Sequence, residues 1–196
     1  MANTSRPAGL IPYRQYSGGI PLRLGSYDII SGQSGSIFQG DPVSLNAAAA
    51  TANAGRQIQV AGVTTTSLVL GAFMGVRYTA ADGSLIWSNR WINGTTMATG
   101  TVGEAFVYDD PDQVYLIQNG GAGLLVSQIG LGAEFVIGTG NSSTGISGCI
   151  LADPPTTGAH QVQIMDLVKS PDNDYGASSK CLVRLMTAQW RGAVGV

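Results

Sequence analysis

The stretch Glu104 to Gln118, EAFVYDDPDQVYLIQ, carries the clearest strand signal in the chain. Aromatic and β-branched residues alternate on both sides of a central break, and this period of two predicts β-strands. The break is Asp110-Pro111-Asp112. Proline presets φ for the first central position of a turn, and aspartate can bond nearby backbone N–H groups. The sequence therefore predicts a tight β-hairpin in the middle of the chain.

The rest of the chain repeats short alternating runs separated by turn residues. Asp82-Gly83 and Asn93-Gly94 are dipeptides typical of hairpin turns. Strand-like runs spaced by about 8–12 residues indicate an all-β sandwich or barrel, and no long helix is expected. We predict an all-β fold for residues 22–196, a single β-barrel or β-sandwich domain of short antiparallel strands.

Residues 1–21 predict an extended N-terminal arm, because prolines and a Gly-Gly pair interrupt them. The segment is nevertheless apolar and aromatic, so it gains free energy by packing on a neighbouring surface. We expect the arm to order against a neighbouring surface, where its arginines would pair with carboxylates. The predicted interface residues are Arg6, Pro7, Leu10, Tyr13, Arg14 and Tyr16.

The composition favours burial in an assembly. Only 11% of the 196 residues are charged, compared with about 25% in an average soluble domain. The 10 basic and 12 acidic residues form no basic stripe of the kind that displaces counterions from nucleic acid. No apolar run approaches the roughly 20 residues of a membrane span. We therefore expect neither direct nucleic-acid binding nor membrane insertion.

Reactive motifs are not recognisable in the sequence. The phosphate-binding loop and the G-x-S-x-G nucleophile elbow are missing. His160 is the only histidine, and a solvated or capping role is favoured over a catalytic one. Cys149 and Cys181 lack metal-binding spacing and are interpreted as buried thiols. We predict no enzymatic activity, no cofactor and no metal, and a hydrolase acting through His160 is the weakest alternative.

Two further groups leave alternatives open. Asp109, Asp110 and Asp112 offer oxygen ligands for calcium, but they lack the ligand spacing of a calcium loop, so a plain turn is favoured. Trp87 and Trp91 are expected on one face of a strand, since they lie four residues apart. They would pack in a core or an interface, or they would stack on a sugar.

Several phrases of the sequence, in order, resemble tailed-phage virion structural proteins, specifically capsid cement or decoration proteins. They cover most of the chain. They are MANTSRPAGLIPYRQYSGG (1–19), SYDIISGQSGSIFQGDPVSL (26–45), GAFMGVRYTAADGSLIWSNRWINGT (71–95), AFVYDDPDQVYLIQ (105–118) and PDNDYGASSKCLVRL (171–185).

The resemblance implies a β-rich protein on the outer capsid, typically a homotrimer, that bridges major capsid protein subunits. Such a protein would be made in the host cytoplasm and would end on the virion. No catalytic residues are carried over. The alternatives are another virion component, such as a head-fibre base, a tail component or the shell protein, and a carbohydrate-binding β-module that uses Trp87 and Trp91.

Overall fold

The structure is a computed structural model that describes residues 3–20, 23–46, 55–152, 155 and 157–191. Within these ranges the chain forms fifteen short strands, and its helical content is two single 3-10 turns. The prediction of an all-β fold with short antiparallel strands is confirmed. The strands are β1 (Ile11–Gln15), β2 (Gly25–Ile29), β3 (Ile37–Phe38), β4 (Pro42–Leu45), β5 (Ile58–Val60), β6 (Gly71–Thr79), β7 (Leu85–Ser88), β8 (Arg90–Trp91), β9 (Gly103–Tyr108), β10 (Gln113–Gln118), β11 (Gly132–Ala133), β12 (Phe135–Val136), β13 (Ile150–Leu151), β14 (Val162–Leu167) and β15 (Lys180–Leu185).

One sheet has five strands in the order β1, β10, β15, β14, β11, and all its pairings are antiparallel. Alternation sends Tyr115 and Ile117 of β10 to one face, where both are fully buried. Cys181 and Val183 of β15 and Ile164 of β14 join them in the first hydrophobic core. The alternate residues of these strands project to the other, outer face of the sheet.

The second large sheet has the order β2, β9, β6, β4, β5, and β7 pairs with the end of β6. Its edge strands approach each other, since a bridge joins Asp28 to Gln57 and the Asp28 N–H donates to the Arg56 carbonyl at 2.9 Å. The sheet therefore curls around a second core that contains Ile29 and Phe73. A single bridge is not a ladder, so among the described residues this sheet does not close into a barrel.

The predicted central hairpin is wrong, because the strands on the two sides of the turn belong to different sheets. β9 pairs with β2 and β6, whereas β10 pairs with β1 and β15. The turn itself is present, and the Gln113 N–H donates to the Asp110 carbonyl at 3.1 Å. Pro111 explains the outcome, because tight hairpins favour turns with positive φ, which proline cannot adopt. Residues 109–112 form a corner that carries the chain from one sheet to the other.

Part of the predicted arm is built into the domain. β1 pairs with β10 as the edge strand of the five-stranded sheet. Just before it, the Leu10 N–H donates to the Gly40 carbonyl at 2.8 Å. Gly9, with φ of +66°, lies so close that a Cβ there would be 2.2 Å from the Gly40 oxygen. Leu10 is therefore 1% exposed in the first core, so it packs inside its own chain and not on the exposed surface where the sequence predicted an interface residue.

Gly71, the first residue of β6, lies against the corner. A Cβ at this position would be 1.8 Å from the Tyr108 carbonyl oxygen and 3.1 Å from the Asp109 Cα. Both are backbone atoms that cannot move without displacing the end of β9. We therefore expect Gly71→Ala to lower the free energy of unfolding by about 1–3 kcal/mol or more, as overpacking does.

Urea unfolding followed by tryptophan fluorescence measures this change. Gly121→Ala is the matched control, since a Cβ at the exposed Gly121 would meet no atom within 4 Å. The control should stay within about 0.5 kcal/mol of the parent protein. Equal free energies of unfolding for the two variants would contradict the close packing at the corner.

Candidate interaction surfaces

Asp109 is buried at the corner, with 3% of its surface exposed. The Tyr27 hydroxyl donates to its Oδ2 at 2.6 Å, and the Arg23 Nε lies 3.0 Å from its Oδ1. The Trp190 Nε1 donates to the Tyr27 hydroxyl at 3.0 Å. Burial, and then the hydrogen bond to Asp109, raises the pKa of Tyr27 to about 12. The phenol therefore keeps its proton at neutral pH, and this network fastens the corner to β2.

The other two aspartates of the corner have partners different from those of Asp109. The Gln15 Nε2 donates to the Asp110 Oδ2 at 3.0 Å, and Arg191 pairs with Asp112. In the part of the chain that the structure describes, no group of three or more His, Cys, Asp or Glu side chains is placed to hold a metal ion. The three aspartates thus have turn and corner roles, which the sequence favoured over calcium binding.

His160, for which the sequence favoured a solvated or capping role, is largely buried, so it does not have the solvated role. Its Nδ1 lies 2.7 Å from the Glu134 Oε1, and its side chain is 10% exposed. The ring packs over Gly132 of β11, where a Cβ would lie 2.3 Å from a ring carbon. The histidine therefore fastens the segment before β14 to the end of β11.

The two cysteines are free and fully buried in the first core. Burial raises the pKa of Cys181 to about 12. It raises the pKa of Cys149 further, and nearby Asp41 adds to the shift. The raised pKa values keep both thiols protonated at neutral pH. Because the thiolate is the reactive form, both thiols are therefore inert. This placement agrees with the interpretation of both cysteines as buried thiols.

An apolar surface crosses the outside of β6, where two depressions share Met74. The first, of about 230 Å³, is lined in part by Ile11 and Ile146, and the second, of about 330 Å³, by Leu24 and Trp87. These five side chains, which we call the Met74 surface, are 37% to 63% exposed. Contiguous exposed apolar surface of this kind marks an interaction site in soluble proteins.

The two candidate tryptophans do not share a face. Trp91 lies in β8 and is 1% exposed in the second core, so of the two packing roles that the sequence left open it has the core role and not the interface role. Trp87 lies in β7 and is 63% exposed. Its ring is parallel to Phe106 at 5.8 Å, with the Arg77 guanidinium 5.2 Å from its centroid. The chain leaves strand geometry at Asn89, between β7 and β8, which resets the alternation that the prediction assumed.

Basic side chains gather on the outer face of the five-stranded sheet. The register places Arg14 beside Val114 and Val114 beside Arg184, on three adjacent strands. Four residues further along β10, Gln118 lies beside Lys180. The set that we call the basic sheet face consists of Arg6, Arg14, Lys180 and Arg184.

The arm reaches this face through hydrogen bonds to β10. Of the predicted arm, 1–21, the structure describes residues 3–20. The Gln118 Oε1 accepts the Arg6 N–H at 2.6 Å, and its Nε2 donates to the Ser5 Oγ at 3.2 Å. At the other end, the Tyr16 ring centroid lies 5.0 Å from the Arg184 guanidinium carbon. The predicted arm residues that are exposed are Arg6, Pro7, Tyr13, Arg14 and Tyr16.

Sequence reasoning missed Met74, Lys180 and Arg184. The spacing of Lys180 and Arg184 in the final strand places them on one face, and this signal was available. The pairing of β15 with β10, which brings the arm alongside, was not. Met74 lies in a strand-like run that glycines interrupt, and the pattern of this run did not indicate which of its two faces would be exposed.

Comparisons of the chain with protein-family models, with curated proteins and with solved structures find no match. The resemblance to tailed-phage cement proteins, and the function that it implies, therefore remain predictions. Among the residues described, no helix has the length and apolar character needed to cross a bilayer.

The placement of the cysteines predicts slow labelling. At pH 8 we expect both thiols of the native protein to react with a thiol reagent at least about a hundredfold more slowly than in denaturant, because labelling requires opening of the core. Ser127→Cys, at an exposed position of the 126–128 turn, is the control and should add one fast thiol. Fast labelling of the parent protein would contradict the buried placement.

Proposed function

We propose that this chain is a non-enzymatic structural protein of a tailed-phage virion, a capsid cement or decoration protein. It assembles as a homotrimer on the outer surface of the mature head and stabilises the head by bridging neighbouring major capsid protein subunits. It is made in the host cytoplasm and ends on the capsid surface, in contact with neither nucleic acid nor membrane. The ordered phrases that resemble this family support the assignment.

The Met74 surface is the observation that carries the proposal. It joins a groove beside the N-terminal segment to a depression beside Trp87. Methionine and aromatic residues are enriched in protein interfaces, and lysine and acidic residues are depleted there. A chain with only 11% charged residues would bury such a surface at little electrostatic cost. We assign this surface to contacts between sister copies.

A cement protein stabilises a shell by mass action. Because it binds the mature shell and not its precursor, each bound copy shifts the equilibrium towards the mature form. A modest contact that is repeated around a trimer and over a lattice gives high avidity without any strong single contact. An inert β scaffold with exposed interaction surfaces meets these requirements.

Trp87 favours one second candidate, a carbohydrate-binding β-module. An exposed indole beside a depression offers an apolar face to the C–H groups of a sugar ring. A glycan array with the parent protein and Trp87→Ala separates the two functions. Sugar binding that depends on Trp87, in a protein with no affinity for phage heads, would favour the module.

Met74→Glu tests the proposed assembly. The substitution places a carboxylate where the two depressions meet, and burying it in an interface is unfavourable. We expect the parent protein to sediment with the mass of three chains and to bind mature heads stripped of it. The variant should sediment as a monomer, and its affinity for heads should fall by more than about tenfold.

Val126→Glu is the matched control, because Val126 is 67% exposed and lies outside the Met74 surface. It should leave both sedimentation and head binding unchanged. A parent protein that is monomeric and has no affinity for heads would overturn the proposal. Equal behaviour of the two glutamate variants would remove the role of the Met74 surface.

A further inference from the structure

The basic sheet face concentrates positive charge on a chain whose net charge is −2. Elsewhere in the described part of the chain, three basic residues form ion pairs with acidic side chains: Arg23 with Asp109, Arg77 with Glu104 and Arg191 with Asp112. On this face only Lys180 has a carboxylate in range, that of Asp172 at 3.8 Å, among the described residues. The face thus carries more positive charge than its surroundings neutralise.

Arg184 shows the imbalance most clearly. Its Nε is buried and finds no hydrogen-bond acceptor among the described residues. Its guanidinium instead lies over the ring of Tyr16. In the strand register, the acidic residue nearest to Arg184 is Asp166 of β14, which pairs with Leu182. The Oδ1 of Asp166 accepts the N–H of Leu167 at 2.8 Å.

The register arranges the face in three rows across β1, β10 and β15. The first row pairs Arg14 and Arg184 on the two sides of Val114. The last row has Lys180 beside Gln118, where the arm brings Arg6. The two basic rows are four residues apart along β10, which is about 13 Å at roughly 3.3 Å per residue.

The row between them is apolar. Leu116 of β10 lies between Ile11 on β1 and Leu182 on β15. A cleft of about 230 Å³ opens here, and its lining includes Leu116, Arg6 and Lys180. Ile11 lies at the boundary of the two surfaces, since it lines both this cleft and the first depression of the Met74 surface. Along the strand direction, the face therefore presents a basic row, an apolar row and a second basic row.

We propose that this face binds an extended acidic segment of a partner protein. The segment carries acidic side chains at two positions four residues apart and an apolar side chain midway, all on one side of an extended backbone. The two acids pair with the basic rows, and the apolar side chain fills the cleft. The inference deepens the proposed function and rests on it only in assigning the segment to the capsid shell.

Charge and shape favour protein carboxylates over a nucleic-acid backbone. A phosphate backbone needs a continuous track of cations, whereas here an apolar row separates the two basic rows. Tyrosine and arginine beside apolar side chains are the composition of a protein interface. Surface charges of this kind set specificity and the association rate more than the final affinity.

A peptide probe tests the inference directly. The peptide Ser-Asp-Thr-Leu-Thr-Asp-Ser, blocked at both ends and labelled with a fluorophore, has the required spacing. Its two controls carry Asn in place of Asp, or carry the two Asp side by side. Fluorescence anisotropy at low salt should give the spaced acidic peptide at least a roughly tenfold lower Kd than either control, and added salt should weaken its binding.

Arg14→Glu is the variant that should lose this binding, by roughly tenfold or more, because attraction becomes repulsion. Lys180→Glu is a second variant at the other basic row and should act in the same direction. Lys169→Glu changes the charge equally at an exposed residue outside the face, and it should leave the Kd within about twofold. Thermal melts check that all three variants fold.

The inference is overturned if the spaced acidic peptide binds no better than its controls, or if Arg14→Glu and Lys169→Glu bind it alike. Tighter, Arg14-dependent binding of a single-stranded oligonucleotide would also overturn it. Head binding separates the two claims. If the protein binds the peptide but has no affinity for heads, the proposed function fails and this inference stands. If the protein binds heads but not the peptide, this inference fails and the proposed function stands.

Discussion

The corner at residues 109–112 is the constraint on which the rest of the structure depends. It joins β9 of the curled sheet to β10 of the five-stranded sheet. The buried carboxylate of Asp109, held by Tyr27 and Arg23, fastens this crossing. Met74 and Trp87, at the centre of the Met74 surface, belong to the sheet of β9, whereas Arg14, Lys180 and Arg184 of the basic sheet face belong to the sheet of β10. This buried network is therefore one of the contacts that set how the two candidate surfaces lie relative to each other.

The strands were predictable from the sequence, but their partners were not. Period-2 alternation identifies a strand. The alternation is the same whether the next strand pairs with the first strand or belongs to another sheet. The stretch from Glu104 to Gln118 held one warning, since Pro111 fits poorly with the positive φ of a tight hairpin turn. Pairing depends on contacts between distant residues, such as those of β10 with β1 and β15, which local patterns do not encode.

For the candidate site residues too, the sequence predicted one property and not another. Arg6, Arg14 and Tyr16 are exposed, and their basic and aromatic character already suggested an interface. Leu10 has equally suitable chemistry, but the approach of Gly9 to Gly40 directs it into the core. Trp91 is buried because the strand breaks at Asn89, two residues earlier. Exposure is a property of the assembled sheets, so composition alone could not indicate which of the predicted interface residues are exposed.

We propose that the protein acts by assembly, with the Met74 surface contacting sister copies and the basic sheet face contacting an acidic segment of a shell. Cryo-electron microscopy of virions of the tailed phage that we propose encodes the chain tests this most directly. We predict density for three copies around a local threefold axis on the outer head, with Met74 buried between copies and Arg14 facing the shell. Heads that carry no density for the chain, or copies whose Met74 surface faces solvent, would contradict it.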